Sequence, residues 1–114
     1  AAGAGPDEAR ARTVLARCLR VQGKLAAAAG ELRHAAGLPG VDEAATVRLP
    51  LDLERSRLAA AEGGRTAALR ILDRVAAEAG RLGLAPLAAE AAETRRQLGL
   101  SPQVAPLNRE GSTE

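Results

Sequence analysis

The side chains in this sequence best suited to chemistry are arginines, and near the start of the chain three of them and a threonine are spaced by three, four and three residues. Four side chains share one face of a predicted first helix, because such intervals return to the same side of an α-helix. They are Arg10, Thr13, Arg17 and Arg20. A guanidinium group binds carboxylate or phosphate through paired hydrogen bonds. The pattern therefore favours a surface that binds an anion over a catalytic centre.

Catalytic and metal-binding residues are scarce. One cysteine and one histidine are too few for a structural zinc site, which takes four such ligands. We expect Cys18 to be a small buried hydrophobe in the apolar stripe of the first helix and His34 to be exposed on the second. No nucleophile, base and orienting group occur together, and no Gly-Lys-Ser/Thr sequence forms a phosphate loop. We expect that the protein is not an enzyme and that it binds neither a cofactor nor a metal ion.

Two pairs of carboxylates lie close together in the sequence, Asp52 with Glu54 and Glu90 with Glu93. Paired acids act in general acid–base catalysis when their surroundings shift their pKa values toward the working pH. These pairs lie on predicted helices whose polar faces are expected to meet water. We predict that both are exposed groups that keep the helices soluble.

Composition limits the remaining classes. The chain has 114 residues, enough for one domain, and 46% are hydrophobic, but alanine dominates that share and predicts a marginally stable helical array. The absence of aromatic residues removes stacking platforms for bases, and a net charge of +2 does not indicate polyanion binding. No apolar run is long enough to span a membrane, and the single cysteine and arginine bias favour a bacterial cytoplasmic protein. Without an initial Met, we interpret the chain as part of a longer protein.

Apolar spacing together with glycine and proline breaks predicts five helices. The first covers about 7–22 and ends at Gly23, with an apolar stripe of Ala11, Val14, Leu15, Cys18 and Gln22 that Leu19 widens. The second follows within two residues and ends at Gly37. These two helices are predicted to form the first antiparallel pair.

The third helix is predicted to begin at an Asp42 N-cap and to kink or split at Pro50, with its stronger half at 50–62. Thr66 is predicted to cap the fourth helix, which ends by Leu82 or Gly83. Pro86 opens the fifth, which Gly99 closes. The predicted organisation is therefore a linker end at 1–6, a helical domain at 7–99 and a disordered tail at 100–114.

Small and large residues repeat forty positions apart. The first unit contains Leu15, Ala16, Leu19, Gln22, Gly23, Leu25, Ala28, Leu32 and Ala35. The second contains Gly63, Ala68, Leu72 and Val75, with Arg55 and Ser56 in place of Leu15 and Ala16. This order resembles the tetratricopeptide repeat, with leucine at the aromatic positions, and a further glycine, Gly99, comes 36 residues after Gly63.

The resemblance implies an all-α fold, a right-handed superhelix of antiparallel helix pairs, like helical extensions of bacterial serine/threonine kinases and transcriptional regulators. It also implies that the first helix of each pair lines a concave groove. Arg57 and Arg96 would then join Arg10, Thr13, Arg17 and Arg20 on the inner surface. That groove would bind an acidic peptide or a chain terminus of a signalling partner, as a scaffold does.

Other interpretations remain open. The arginines form an ordinary solvated face if Glu8, Glu54 and Glu93 offset their charge. The alanine faces would instead serve packing against a neighbouring domain or dimerisation. A helical domain that binds nucleic acid is the third alternative, disfavoured because the basic residues are not concentrated on one recognition helix.

Overall fold

The protein is an array of five α-helices, and the computed structural model describes residues 4–104, with side chains for 5–99. The helices are α1 (Ala4–Val21), α2 (Leu25–Ala36), α3 (Ala45–Ala61), α4 (Arg65–Arg81) and α5 (Ala85–Val104). No strand occurs among these residues, which confirms the predicted all-α class. None of the described helices has the length and hydropathy of a membrane span.

The helices are arranged as a stack of pairs. Each helix packs on the next one along the chain, and α3 also contacts α1 and α5. Within the described residues α2 and α4 do not touch. The odd-numbered helices therefore form a continuous row along one side of the molecule, with α3 at its centre.

Three of the connections are the same turn. Each has a glycine with positive φ, namely Gly23 (81°), Gly63 (90°) and Gly83 (75°), a conformation that costs glycine little. In each, the following residue donates its N–H to the carbonyl five positions earlier, as in a Schellman C-cap. These bonds are Lys24 to Leu19, Gly64 to Ala59 and Leu84 to Ala79, each 2.8 Å long. The turn at Gly23 confirms the prediction for that glycine.

The pattern of buried positions repeats every forty residues. In α2 and α4 the buried residues Ala28, Leu32 and Ala35 correspond to Ala68, Leu72 and Val75. In α1 and α3 the buried Ala9, Thr13 and Ala16 correspond to Leu49, Leu53 and Ser56. The repeat thus includes α3, although Ser56 and Arg55 depart from the sequence pattern of the first unit.

Most of the apolar stripe predicted for α1 is wrong. Its exposed members are Ala11, Val14, Leu15, Cys18 and Gln22, whereas Leu19 is half-buried against the core and the small residues Ala9, Thr13 and Ala16 are buried. Small residues allow α2 and α3 to approach closely. On the same side of α1 two arginines reach carboxylates on the neighbouring helices, Arg12 to Glu31 of α2 and Arg20 to Glu54 of α3.

Several predicted boundaries also need correction. The helix α3 is continuous through Pro50, and its N-cap is Ala44 rather than Asp42. Pro50 removes one backbone hydrogen bond, but the leucines on either side of it, Leu49 and Leu51, are buried in two different core clusters. Packing on both sides outweighs the lost bond.

The N-cap of α4 is Gly64, so Thr66 lies inside the helix. The helix α5 continues past Gly99 to Val104, so this glycine does not end a helix as predicted. The helix α1 starts at Ala4, within the predicted linker. Of the predicted tail, 105–114 lie outside the described residues.

Candidate anion-binding site

A buried glutamate lies at the junction of α1 and α3. The side chain of Glu54 is 2% exposed, and three arginines surround its carboxylate. Arg20 donates from Nε to Glu54 Oε2, Arg57 Nη1 lies 3.3 Å from Oε1, and Arg17 Nε lies 3.9 Å from Oε1. Because a buried carboxylate needs charged partners or hydrogen bonds, this cluster holds α1 against α3.

Arg57 connects the cluster to α5. Its Nη2 donates to Glu90 Oε2 at 2.9 Å and to Thr94 Oγ1 at 3.3 Å. The Thr94 hydroxyl in turn donates to the backbone carbonyl of Glu90 at 2.9 Å. The terminal nitrogens of Arg57 are thereby committed to Glu54, Glu90 and Thr94, and the three odd-numbered helices share one ionic network.

A cavity of about 410 Å³ opens beside this network. Its polar lining consists of Arg20, Arg57, Arg65, Thr94 and Gln97, and its apolar lining of Ala60, Ala61 and Leu98. These residues come from α1, α3, α4 and α5. The cavity therefore lies where four helices meet and combines several hydrogen-bond donors with an apolar wall.

Arg65 is the one of these arginines that lacks an anionic partner. It is exposed at the first position of α4 and makes no ion pair or side-chain hydrogen bond with any residue between 5 and 99. A cation at a helix N-terminus also faces the positive end of the helix dipole, which is unfavourable. Its placement costs stability and leaves its donors available to a ligand.

The electrostatic balance around the cavity is positive. The ionic network and the cavity lining together contain two carboxylates, Glu54 and Glu90, and four arginines, Arg17, Arg20, Arg57 and Arg65. Counting whole charges leaves +2 in the described part of this region. Such a surplus in a concave site attracts an anion.

The structure brings together some of the predicted groove residues. Arg17, Arg20 and Arg57 converge on Glu54. Thr13 is buried, and its hydroxyl donates to the Ala9 carbonyl at 2.8 Å. It therefore lies on the core face of α1, not on the non-core face on which it was predicted.

The two remaining predicted residues lie apart from the cluster. Arg10 is exposed and pairs with Asp7 at 3.0 Å. Arg96 is exposed and pairs with Glu93 on its own helix. Thr94 of α5 is buried like Ser56 of α3, and each is followed by an arginine. The α5 equivalent of Arg17 and Arg57 is therefore Arg95, which pairs with Asp73 of α4.

Sequence reasoning missed Arg65, Thr94 and Gln97, and it named Glu54 only as an exposed carboxylate that offsets arginine charge. The prediction that Glu54 and its neighbour Asp52 are exposed is wrong, because α3 is covered by four other helices. Burial raises the pKa of Asp52 above its ordinary value, against the opposing charges of Arg55, Arg74 and Arg48. The forty-residue repeat gives no signal for this burial, since it equates Glu54 with Val14, which is 54% exposed.

The other candidate residues do not join the site. Cys18 is exposed, which corrects its predicted burial, and His34 is exposed as predicted, with Nε2 3.6 Å from Glu8 Oε2. In the part of the chain with described side chains, no three histidine, cysteine or carboxylate groups are placed to hold a metal ion. The arrangement is suited to binding through hydrogen bonds and charge.

Comparison with protein families, with curated proteins and with solved structures finds no match for this chain. What is established is an all-α stack of helix pairs with a positively charged cavity along its row of odd-numbered helices.

Proposed function

We propose that this protein is a non-catalytic interaction module of the tetratricopeptide-like type, and that its cavity binds an acidic segment of a partner protein. The observation that supports the proposal is Arg65, which has no ion-pair partner among the described residues and lines the cavity together with Arg20 and Arg57. Guanidinium groups held on rigid helices bind carboxylates with little loss of conformational freedom.

The repeat supports the assignment to this type of module. Buried positions recur forty residues apart in both helices of a pair, and the same glycine turn ends α1, α3 and α4. One helix pair cannot bury its apolar face alone, so such units stack and share a core. In this arrangement the row formed by α1, α3 and α5 is the surface for a partner.

Replacing Arg65 with glutamate tests the proposal. We expect Arg65→Glu to weaken the binding of a blocked triglutamate peptide at least about tenfold, measured by isothermal titration, because a cation in the cavity becomes an anion. The same change should slightly raise the melting temperature, since an acid suits the N-terminus of α4.

Arg70→Glu is the matched control. Arg70 is also exposed on α4, has no described ion-pair partner and does not line the cavity. It should leave peptide affinity within about twofold of the unchanged protein. Equal loss of affinity in the two variants would show a general charge effect and refute the cavity as the binding site.

A second candidate function is packing against another copy or domain. It is favoured by the exposed apolar side of α1, where Val14 is 54%, Leu15 45% and Val21 73% exposed. Leu15→Glu should then shift sedimentation from dimer to monomer at the same concentration. A concentration-independent monomer before the substitution would exclude self-association through this face.

A further inference from the structure

The environment of Glu54 implies a role beyond holding two helices together. Its carboxylate is buried, accepts hydrogen bonds from Arg20 and Arg57, which line the cavity, and lies 3.9 Å from Arg17 Nε. The internal carboxylate therefore uses donors that a second anionic group of a ligand would otherwise bind.

The donors that remain are few. Arg57 has committed both terminal nitrogens to Glu54, Glu90 and Thr94. Arg20 uses Nε for Glu54, and its terminal nitrogens make no hydrogen bond with a described residue. Arg65 makes no ion pair with any described residue. A carboxylate has two oxygens with about four acceptor positions, so one carboxylate can accept from Arg65 and from Arg20 at the same time.

We infer that Glu54 is the specificity-determining residue of the cavity, which restricts it to a single carboxylate held by Arg65 and the terminal nitrogens of Arg20. This inference rests on the proposed function. The matching partner is a peptide that presents one isolated acidic side chain between small or apolar residues, because Ala60, Ala61 and Leu98 form the adjacent wall.

The test compares two blocked peptides, one with a single glutamate between glycines and one with three consecutive glutamates. The unchanged protein should bind both within about threefold and with the same dependence on salt. Glu54→Gln keeps the side-chain volume but frees the arginines, so it should prefer the triglutamate peptide by about tenfold and show a steeper salt dependence.

Glu62→Gln is the control for the loss of one negative charge, because Glu62 is exposed just after the last residue of α3 and has no described ion pair. It should behave like the unchanged protein. Loss of binding of both peptides by Glu54→Gln would assign Glu54 a structural role alone and overturn the inference. Unaltered preference would overturn it as well.

A further variant covers the case in which Glu54→Gln does not fold. Glu54→Asp keeps the charge and should keep the equal affinities for the two peptides. A preference of the unchanged protein for the triglutamate peptide above about tenfold would also contradict the inference while leaving the proposed function intact. Absence of binding of either peptide to the unchanged protein would instead overturn the proposed function itself.

Discussion

Replacing Glu54 with alanine is expected to lower the free energy of unfolding by about 2 to 3 kcal/mol. Removing one partner of a buried ion pair leaves its partners with uncompensated charge, which typically costs about 3 to 5 kcal/mol. The lower figure applies because Arg17, Arg20 and Arg57 are 53%, 22% and 20% exposed and regain water. Urea denaturation followed by circular dichroism measures the change.

Glu90→Ala is the comparison for this prediction. Glu90 also binds Arg57, at 2.9 Å, but its side chain is 46% exposed. Its removal should cost less than about 1 kcal/mol, as is usual for ion pairs in contact with water. If the two alanine variants were equally stable, Glu54 would not be the centre of the ionic network.

Replacing Leu72 with alanine is expected to cost about 3 kcal/mol and to lower the melting temperature by roughly 10 to 25 °C. Leu72 is 1% exposed and lies in the core cluster shared by α3, α4 and α5. Large aliphatic side chains are few in this alanine-rich chain, so neighbouring residues cannot refill the space. Thermal melts followed by circular dichroism provide the measurement.

Leu82→Ala is the matched control, because Leu82 is 45% exposed just after α4. It should change stability by less than about 1 kcal/mol. A loss at Leu72 no greater than that at Leu82 would mean that the α3–α4–α5 core is not packed as described.

The sequence was sufficient to predict the parts of the fold that depend on local signals. The apolar stripes of α2 and α4 follow helical spacing, and Leu32 and Leu72 are buried as that spacing indicates. The left-handed glycine at Gly23 follows from its position after a helix. These features are decided within a few residues of the chain.

Features decided by tertiary contacts could not be predicted in this way. Alanine fits either a buried or an exposed face, so the sequence leaves the orientation of α1 ambiguous. In the structure α1 buries the face opposite to the predicted one, and the arginines beside that buried face form salt bridges to α2 and α3. Burial of Glu54 depends on helices that come later and earlier in the chain. The continuity of α3 through Pro50 depends on the leucines that pack on both sides.

The candidate site was predictable only in part, for the same reason. Periodicity along α1 and α3 identifies Arg17, Arg20 and Arg57 as members of one surface. The stacking of α4 and α5 brings Arg65 and Thr94 to the cavity, and no local pattern marks them. Residues contributed by α4 and α5 are brought to the site only by the three-dimensional arrangement.

The most direct test of acidic-peptide recognition is an NMR titration of the unchanged protein with the blocked triglutamate peptide. Binding in the cavity should shift the backbone amides of Ala60, Ala61, Thr94 and Leu98, with little change along the outer side of α2. Shifts confined to the exposed apolar side of α1, or none at all at low salt, would contradict it.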